Sequence, residues 1–298
     1  MEYYPIIDAH AHLWLKQDTI VDGAHIYSIE KNPSRSMFFG EEVQMLPPFM
    51  IDGHNTAEIF LSNMDYAQVS AAVIVQEVID GNQDDYLAEV QKKYPDRFLC
   101  CGIMTGIIPE TKPLTFDAYA MPGHRIKEPL NSTEMVATFK RLEREGKILD
   151  MCLADDERQI AQFDEVLTEC PSLKVAIGHF GMVTTPNWRN QIMLARHKNV
   201  MIESGGITWL YNNEFYPYPS AIRSIKEAAD MVGIEKLMWG SDYPRTITAI
   251  TYKMSYDFIC KTKEMPEEAK HLFLGRNAER FYGFHNLLQL PHIKNMSE

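Results

Sequence analysis

The 298-residue chain lacks the features that mark several large classes of protein. Its five cysteines are scattered without a C-x-x-C pair, which predicts free thiols in a reducing compartment rather than a disulfide framework. Lys and Arg total 29 against 41 Asp and Glu, and this net charge of −12 would repel the phosphate backbone of a nucleic acid. No apolar run approaches the roughly 20 residues that span a bilayer. Nucleic-acid binding and membrane insertion are therefore not expected.

Two further absences bear on localisation and cofactors. Residues 1–5 carry neither the basic start nor the apolar stretch of a signal peptide, so a cytoplasmic location is expected. The glycine fingerprint of a dinucleotide-binding sheet is missing after the first apolar run, so no nucleotide cofactor is expected. What remains is a globular composition, 45% hydrophobic and 23% charged, in a chain long enough for an α/β barrel with insertions.

Short apolar runs alternate with helical patterns along the whole chain. Most runs are continuously apolar, which is typical of parallel strands buried on both faces. Eight such alternations favour a single (β/α)8 TIM barrel over residues 1–298 rather than a doubly wound sheet. The eight predicted strands are Ile6–His12, Ser70–Gln76, Phe98–Met104, Gly123–Lys127, Ile148–Leu153, Lys174–His179, Val200–Ser204 and Lys236–Gly240.

The segments between these strands predict helices, with two exceptions. Residues 105–122 contain three prolines, which disfavour a helix. Leu13–Asn55 has few periodic apolar positions and is interpreted as a long irregular loop after strand one, of the kind that covers a barrel active site. The predicted helices, ending with a C-terminal one, are Thr56–Ala67, Asp84–Tyr94, Ser132–Glu145, Asp155–Cys170, Asn187–His197, Ser220–Val232, Thr248–Lys263 and Pro266–Phe281.

Polar residues at the ends of the predicted strands are the candidate functional residues, because barrel active sites lie there. Strand one ends in His10-Ala11-His12, and alternate residues of a strand face the same side, so both imidazoles can converge on one ligand. The sixth strand ends in His179, and the eighth leads into Asp242. Their coincidence at strand ends predicts one functional site.

Each residue also has a purely structural interpretation. An H-x-H pair is common, His179 could simply hydrogen-bond within the core, and Asp242 could cap a turn. Glu203, at the end of strand seven, could be a core charge paired with Arg125 or Lys127.

Four motifs in order resemble a known family. They are D-A-H-x-H near the N-terminus, G-H-F-G after strand six, W-G-S-D-Y-P after strand eight, and a closing L-G-R-N-A-E-R-F-Y at Leu274–Tyr282. Over residues 6–283 the chain resembles the amidohydrolase superfamily, and more closely its "amidohydrolase 2" branch of lactonases and non-oxidative decarboxylases. The resemblance implies a divalent metal, Zn or Mn, held by His10, His12 and Asp242, with His179 as a further ligand or a substrate contact.

Strand five departs from the fully metal-dependent pattern. The wider superfamily has a histidine or carboxylated lysine at strand four or five, whereas Ile148–Asp156 contains neither, and Cys152 and Asp155 do not match. We therefore expect at most one, weakly held metal. Some lactonases of the branch work without a tightly bound metal and use the strand-eight aspartate as general base. Gly123–Lys127 resembles their G-x-R stretch, which implies that Arg125 holds a substrate carboxylate or carbonyl, beside Lys127 and His179.

The resulting prediction is a hydrolase of a cyclic ester, a sugar-acid or other carboxylated lactone, with Asp242 and His179 as catalytic residues acting on a small-molecule substrate. The alternatives are a metal-dependent decarboxylase of an aromatic or unsaturated acid, a hydratase, and a non-catalytic barrel. A homo-oligomer is one of the assemblies that the sequence allows. An aromatic cluster could either stack on a substrate ring or pack an oligomer interface; its members are Trp209, Tyr211, Phe215, Tyr216 and Tyr218.

Overall fold

The computed structural model describes residues 4–291 and Met296. Its strands are, in chain order, β1 (Ile7–Ala11), β2 (Asp18–Val21), β3 (Ala24–Ile29), β4 (Asn32–Phe38), β5 (Glu41–Gln44), β6 (Ala71–Ile74), β7 (Phe98–Ile103), β8 (Ala118–Met121), β9 (Ile148–Met151), β10 (Lys174–Ile177), β11 (Val200–Glu203) and β12 (Leu237–Met238). Strands β1 and β6–β12 form one parallel sheet in this order. The sheet curves until β12 returns to β1, which confirms the (β/α)8 barrel.

Helices follow most of the barrel strands. They are α1 (Ala57–Ala67), α2 (Asp84–Lys93), α3 (Thr133–Arg144), α4 (Glu157–Glu169), α5 (Trp188–Met193), α6 (Ile207–Leu210), α7 (Pro219–Val232), α8 (Met254–Lys261), α9 (Glu267–His271) and α10 (Asn277–Tyr282). Residues 104–117 contain no helix, as their prolines predicted. Within the described residues, no helix has the length and hydropathy needed to cross a bilayer.

The barrel interior is filled by small and medium apolar residues from alternate strand positions, such as Ala71, Val73 and Ala118. Phe281 and Tyr282 of α10 belong to the same cluster. The Lys174 ammonium, at the first residue of β10, lies 4.9 Å from the centre of the Phe281 ring. The last helix therefore closes the amino end of the barrel and leaves the carboxyl end open.

The fourth barrel strand was predicted in the wrong place. It is Ala118–Met121, whereas Gly123–Arg125 forms a 3₁₀ turn after it. A barrel strand is buried on both faces, which suits the A-Y-A-M sequence and excludes a run with three basic side chains.

The prediction of an irregular Leu13–Asn55 loop was also wrong, since β2–β5 form an antiparallel meander within it. β2 and β5 are largely exposed, and β3 and β4 are mostly half-buried, so the alternation of apolar residues is weak. The overlooked signal is the Asp22-Gly23 pair between β2 and β3. Both residues have positive φ, as a two-residue hairpin turn requires.

Asp8 of β1 ties the two ends of the barrel sheet together. Its fully buried carboxylate accepts hydrogen bonds from Ser241 N (2.8 Å), Ser241 Oγ (2.5 Å) and Tyr252 OH (2.7 Å). Beside it, Asp242 N donates to His10 O at 2.8 Å. This clamp fixes the loop after β12 against β1.

We expect Asp8→Ala to destabilise the fold, because His10 N, Ser241 N and Tyr252 OH would be three buried donors without their acceptor. Each such group costs about 1–3 kcal/mol, so the free energy of unfolding should fall by at least about 3 kcal/mol. Urea unfolding followed by circular dichroism measures it, with the exposed Asp18→Ala as control. Equal losses in the two variants would contradict the clamp.

Candidate active site

A cavity of about 590 Å³ opens at the carboxyl end of the barrel. His10, His12, His179 and Asp242 all line it, so the residues predicted from the strand ends share one mouth. Its other walls are largely apolar and include Trp14, Phe38, Met45, Met121, Leu153 and Met182. This size and lining are typical of a site for a small molecule.

The two histidines of β1 and Asp242 meet as the sequence predicted. His12 Nε2 lies 3.1 Å from His10 Nε2 and 3.1 Å from Asp242 Oδ1, and His10 Nε2 lies 3.7 Å from that oxygen. The pairing of β1 with β6 is irregular between Asp8 and Ala11, and this interval brackets His10. Such irregularities re-aim side chains beside active sites.

Carboxylates and a carbonyl behind the two imidazoles orient them. His10 Nδ1 is 3.0 Å from Glu203 Oε1, a close ionic contact without the angle of a directed hydrogen bond. His12 Nδ1 is 2.9 Å from Val75 O and 3.7 Å from Asp80 Oδ2. Because a carbonyl can only accept, His12 carries its hydrogen on Nδ1 and directs Nε2 into the cavity.

Glu203 is a partner of His10, and not of Arg125 or Lys127 as one interpretation of the sequence held. Its buried side chain also accepts from His179 N at 2.7 Å and from Gly205 N. Gly205 and Gly240 allow this packing, since a Cβ on either would lie within 3.0 Å of a His10 side-chain atom. These contacts join residues far apart in the chain, which explains why the sequence did not reveal them.

His179 stands at a tight turn after β10, with φ at +52°. Its Nδ1 lies 2.9 Å from Gly205 O, so the hydrogen sits on Nδ1 and Nε2 is left as an acceptor. Its ring centre is 4.6 Å from that of His10. Burial and the neighbouring His10 charge lower the pKa of His179, which keeps the ring neutral near pH 7.

The charges of the site are strongly coupled. Burial alone would raise the pKa of Asp242, but the His12 hydrogen bond and the positive charges of the histidines hold it well below its usual range. Burial alone would lower the pKa of His10, but Glu203, Asp150 and Asp242 raise it to about 10. The acids thus stabilise a positive charge between the two imidazoles of β1.

The donor set fits one divalent metal ion. The three atoms are separated by 3.1, 3.1 and 3.7 Å, close to the edge of about 3.4 Å of a tetrahedron with bonds of about 2.1 Å. Two imidazoles and one carboxylate suit Zn²⁺ or Mn²⁺, and a bound ion would supply the positive charge that the surrounding acids stabilise.

The two basic residues predicted to bind substrate have different positions. Arg125 lines the cavity, but its Nε donates to Glu77 Oε1 at 2.8 Å. Lys127 does not line the cavity: its side chain is 87% exposed and its Nζ lies 3.8 Å from Asp22 Oδ1. The reason is the earlier position of β8, which puts residues 123–127 in the following loop.

The structure adds residues that the sequence analysis did not assign to the site. Trp209 of α6 donates from Nε1 to Asp242 Oδ2 at 2.6 Å. It is the one member of the aromatic cluster that lines the described cavity, whereas the Phe215 side chain is 94% exposed. Asp150 of β9 lies on the cavity floor, and neither carboxylate oxygen has a hydrogen-bond partner.

The fold and the site define a class. It is a (β/α)8 barrel enzyme with two histidines from its first strand and an aspartate from the loop after its last strand around one open cavity. The family model described as Amidohydrolase matches residues 7–284, and the chain belongs to this family. No curated protein matches the chain by sequence.

Several solved structures share the fold at low sequence identity. A probable 2-pyrone-4,6-dicarboxylic acid hydrolase from Acinetobacter baumannii, with citric acid bound, is 20% identical with a TM-score of 0.67, over 94% of this chain and 99% of that one. An amidohydrolase from Burkholderia multivorans with bound zinc is 15% identical (TM-score 0.69), again over 94% and 99%. A 5-carboxyvanillate decarboxylase from Novosphingobium aromaticivorans, with manganese and 4-hydroxy-3-methoxy-5-nitrobenzoic acid, is 15% identical (0.62; 94% and 96%).

Asp150 gives a prediction for the dependence of stability on pH. Burial raises the pKa of its carboxyl from 3.8 to about 7, so the folded protein binds this proton more tightly than the unfolded chain. The contribution of Asp150 to stability therefore falls as the pH rises from about 4 to about 7. Asp150→Asn should raise the melting temperature above that of the wild type by at least about 2 °C at pH 8, and by less at pH 5.

Differential scanning calorimetry at both pH values measures this effect. The exposed Asp230→Asn on α7 is the control, and its difference from the wild type should not change with pH in this way. An Asp150→Asn protein that is less stable than the wild type at pH 8 would contradict this prediction, because it would show that the folded protein stabilises the ionised Asp150 carboxylate.

Proposed function

We propose that this protein is an enzyme that hydrolyses a lactone carrying a carboxylate. The observation that carries the proposal is the cluster of His10 Nε2, His12 Nε2 and Asp242 Oδ1 on the floor of a cavity open to small molecules. Of the sugar-acid and other carboxylated lactones, the lining favours an unsaturated ring, since a polyhydroxylated sugar would meet mainly apolar side chains. The pyrone hydrolase among the fold relatives supports this substrate class.

His10, His12 and Asp242 would hold one Zn²⁺ or Mn²⁺. When bound, such an ion lowers the pKa of a water molecule and polarises a carbonyl. Glu203 and the Val75 carbonyl keep the Nδ1 atoms of the two histidines engaged, so their Nε2 atoms remain available. Strand β9 contributes no histidine or lysine, so we expect weaker retention than in sites with more ligands.

Asp242 and His179 would act on the two hydrogens of the attacking water. Asp242 is ionised at neutral pH and can accept a proton from the attacking water, while Trp209 holds its other oxygen. His179 presents Nε2 as an acceptor for the second hydrogen of the same water. The water oxygen bonds to the carbonyl carbon, the ring C–O bond breaks, and Asp242 returns the proton to the leaving oxygen.

The same arrangement supports a second candidate, decarboxylation of an aromatic acid. The apolar wall of the cavity favours it, because a substituted benzene ring would pack against Trp14, Phe38 and Met182. Asp242 would then take a proton from a water molecule and deliver it to the ring carbon as the C–C bond to the carboxylate breaks, which releases CO₂ and leaves hydroxide to the solvent. A panel of carboxylated lactones and aromatic acids separates the two activities, through proton release in the first case and CO₂ release in the second. No turnover of either substrate class would reject both candidates.

We expect purified protein to contain at most one divalent ion per chain. Elemental analysis after dialysis should find that His12→Ala retains less metal, because it loses one of three ligands. His54→Ala is the control, since this histidine is half exposed and lies outside the cavity. Two ions per wild-type chain would contradict the single site.

Asp242→Asn should lower kcat at least a hundredfold, because a general acid or base contributes about 10²–10⁴ and the amide cannot accept the proton. The fold should survive, since Asn has the same size and can still accept from Trp209. Steady-state kinetics measures the loss and circular dichroism checks the fold. A folded variant with wild-type turnover would remove Asp242 from the mechanism.

A further inference from the structure

Arg245 lies at the rim of the cavity, three residues after Asp242. Its guanidinium carbon is 3.6 Å from the centre of the Trp209 ring, the distance of a stacked cation–π contact. Among residues 4–291 and Met296, no carboxylate oxygen lies within ion-pair distance of this guanidinium. This exposed guanidinium is therefore stacked on the indole and has no acidic partner among the described residues.

Arg125, the other arginine that lines the cavity, is in a different state. Glu77 pairs with its Nε at 2.8 Å, and Asp22 lies 4.0 Å from its NH1 nitrogen. Two carboxylates therefore already compensate its charge. A substrate anion would have to compete with them at Arg125, but with solvent only at Arg245.

Trp209 links this rim to the reacting centre. One edge of its indole donates from Nε1 to Asp242 Oδ2, while its face carries the Arg245 guanidinium. The indole packs directly on Gly206, whose φ is +71°, and a Cβ there would lie 1.7 Å from Trp209 Nε1. A single rigid ring thus separates the free cation from the catalytic carboxylate.

We propose that Arg245 is the residue that binds the substrate carboxylate and selects substrates that carry one. This inference rests on the proposed function and makes its substrate class more specific: a small ring acid whose carboxylate is about one ring width from the carbonyl that is attacked. The planar guanidinium matches a carboxylate through two parallel N–H···O bonds. Arg125, by contrast, shapes the wall through its pair with Glu77.

The test is the binding of benzene-1,3-dicarboxylate, a planar diacid with no bond to hydrolyse, compared with its neutral dimethyl ester. Calorimetry on the wild type and on Arg245→Met measures the two affinities. Methionine keeps an unbranched side chain over the indole and removes the charge. We expect the affinity for the diacid to fall at least tenfold in Arg245→Met and the affinity for the ester to stay within about twofold.

Arg189→Met is the matched control. Its guanidinium carbon is also close to a tryptophan ring, 4.6 Å from the centre of Trp188, but it pairs with Glu227 and lies outside the cavity. This control should bind the diacid as the wild type does. On a carboxylated lactone, Arg245→Met should raise KM much more than it lowers kcat, and Arg245→Lys should recover part of the loss.

Two results would overturn the inference. One is an Arg245→Met protein that binds the diacid as tightly as the wild type, including the case in which Arg125→Met loses that binding instead. The other is a wild type that prefers the neutral ester. If Arg245 governs diacid binding but no lactone is hydrolysed, the proposed function fails and the assignment of Arg245 as the anion-binding residue stands.

Discussion

The seam between the first and the last barrel strands is the constraint on which the site depends. His10 and His12 come from one side of it and Asp242 from the other, more than 200 residues later. Main-chain bonds from Ala9 to Trp239 and between Asp242 and His10 close the seam, and Asp8 clamps it. The site therefore forms only when the barrel closes, because an open seam would separate the two histidines of β1 from Asp242.

Burial of so many charges in one place is offset by contacts between opposite charges. Glu203 contacts His10, and Asp242 contacts both His10 and His12, whereas the two imidazoles lie 3.1 Å apart and repel each other when both are charged. Low local polarity strengthens these attractions and makes any unpaired member costly. A single substitution among Glu203, His10, Asp242 and His12 will therefore change the protonation of the neighbouring groups. The kinetic losses caused by two such substitutions will not add.

The local signals in the sequence were sufficient for the centre of the site and insufficient for its surroundings. The H-x-H spacing and the S-D after strand eight predicted that His10, His12 and Asp242 would lie together, and the structure brings these three side chains together. The contacts of Glu203 with His10 and of Glu77 with Arg125 join segments that are distant in the chain. The spacing of residues along one strand or helix carries no information about such contacts. Strand four was misplaced because A-Y-A-M is short and lies among prolines, and the meander was missed because its polar strands alternate weakly.

The meander of β2–β5 has a consequence for how this barrel can diversify. It is an antiparallel sheet with its own internal pairing, inserted between β1 and α1, and it supplies Phe38, Val43 and Gln44 to the cavity wall. None of its strands pairs with the barrel sheet, so changes in its turns or length need not disturb the register of the barrel strands. Part of the cavity wall and the cluster of His10, His12 and Asp242 are thus encoded in separable stretches of chain, so the shape of the cavity can change while the cluster stays intact.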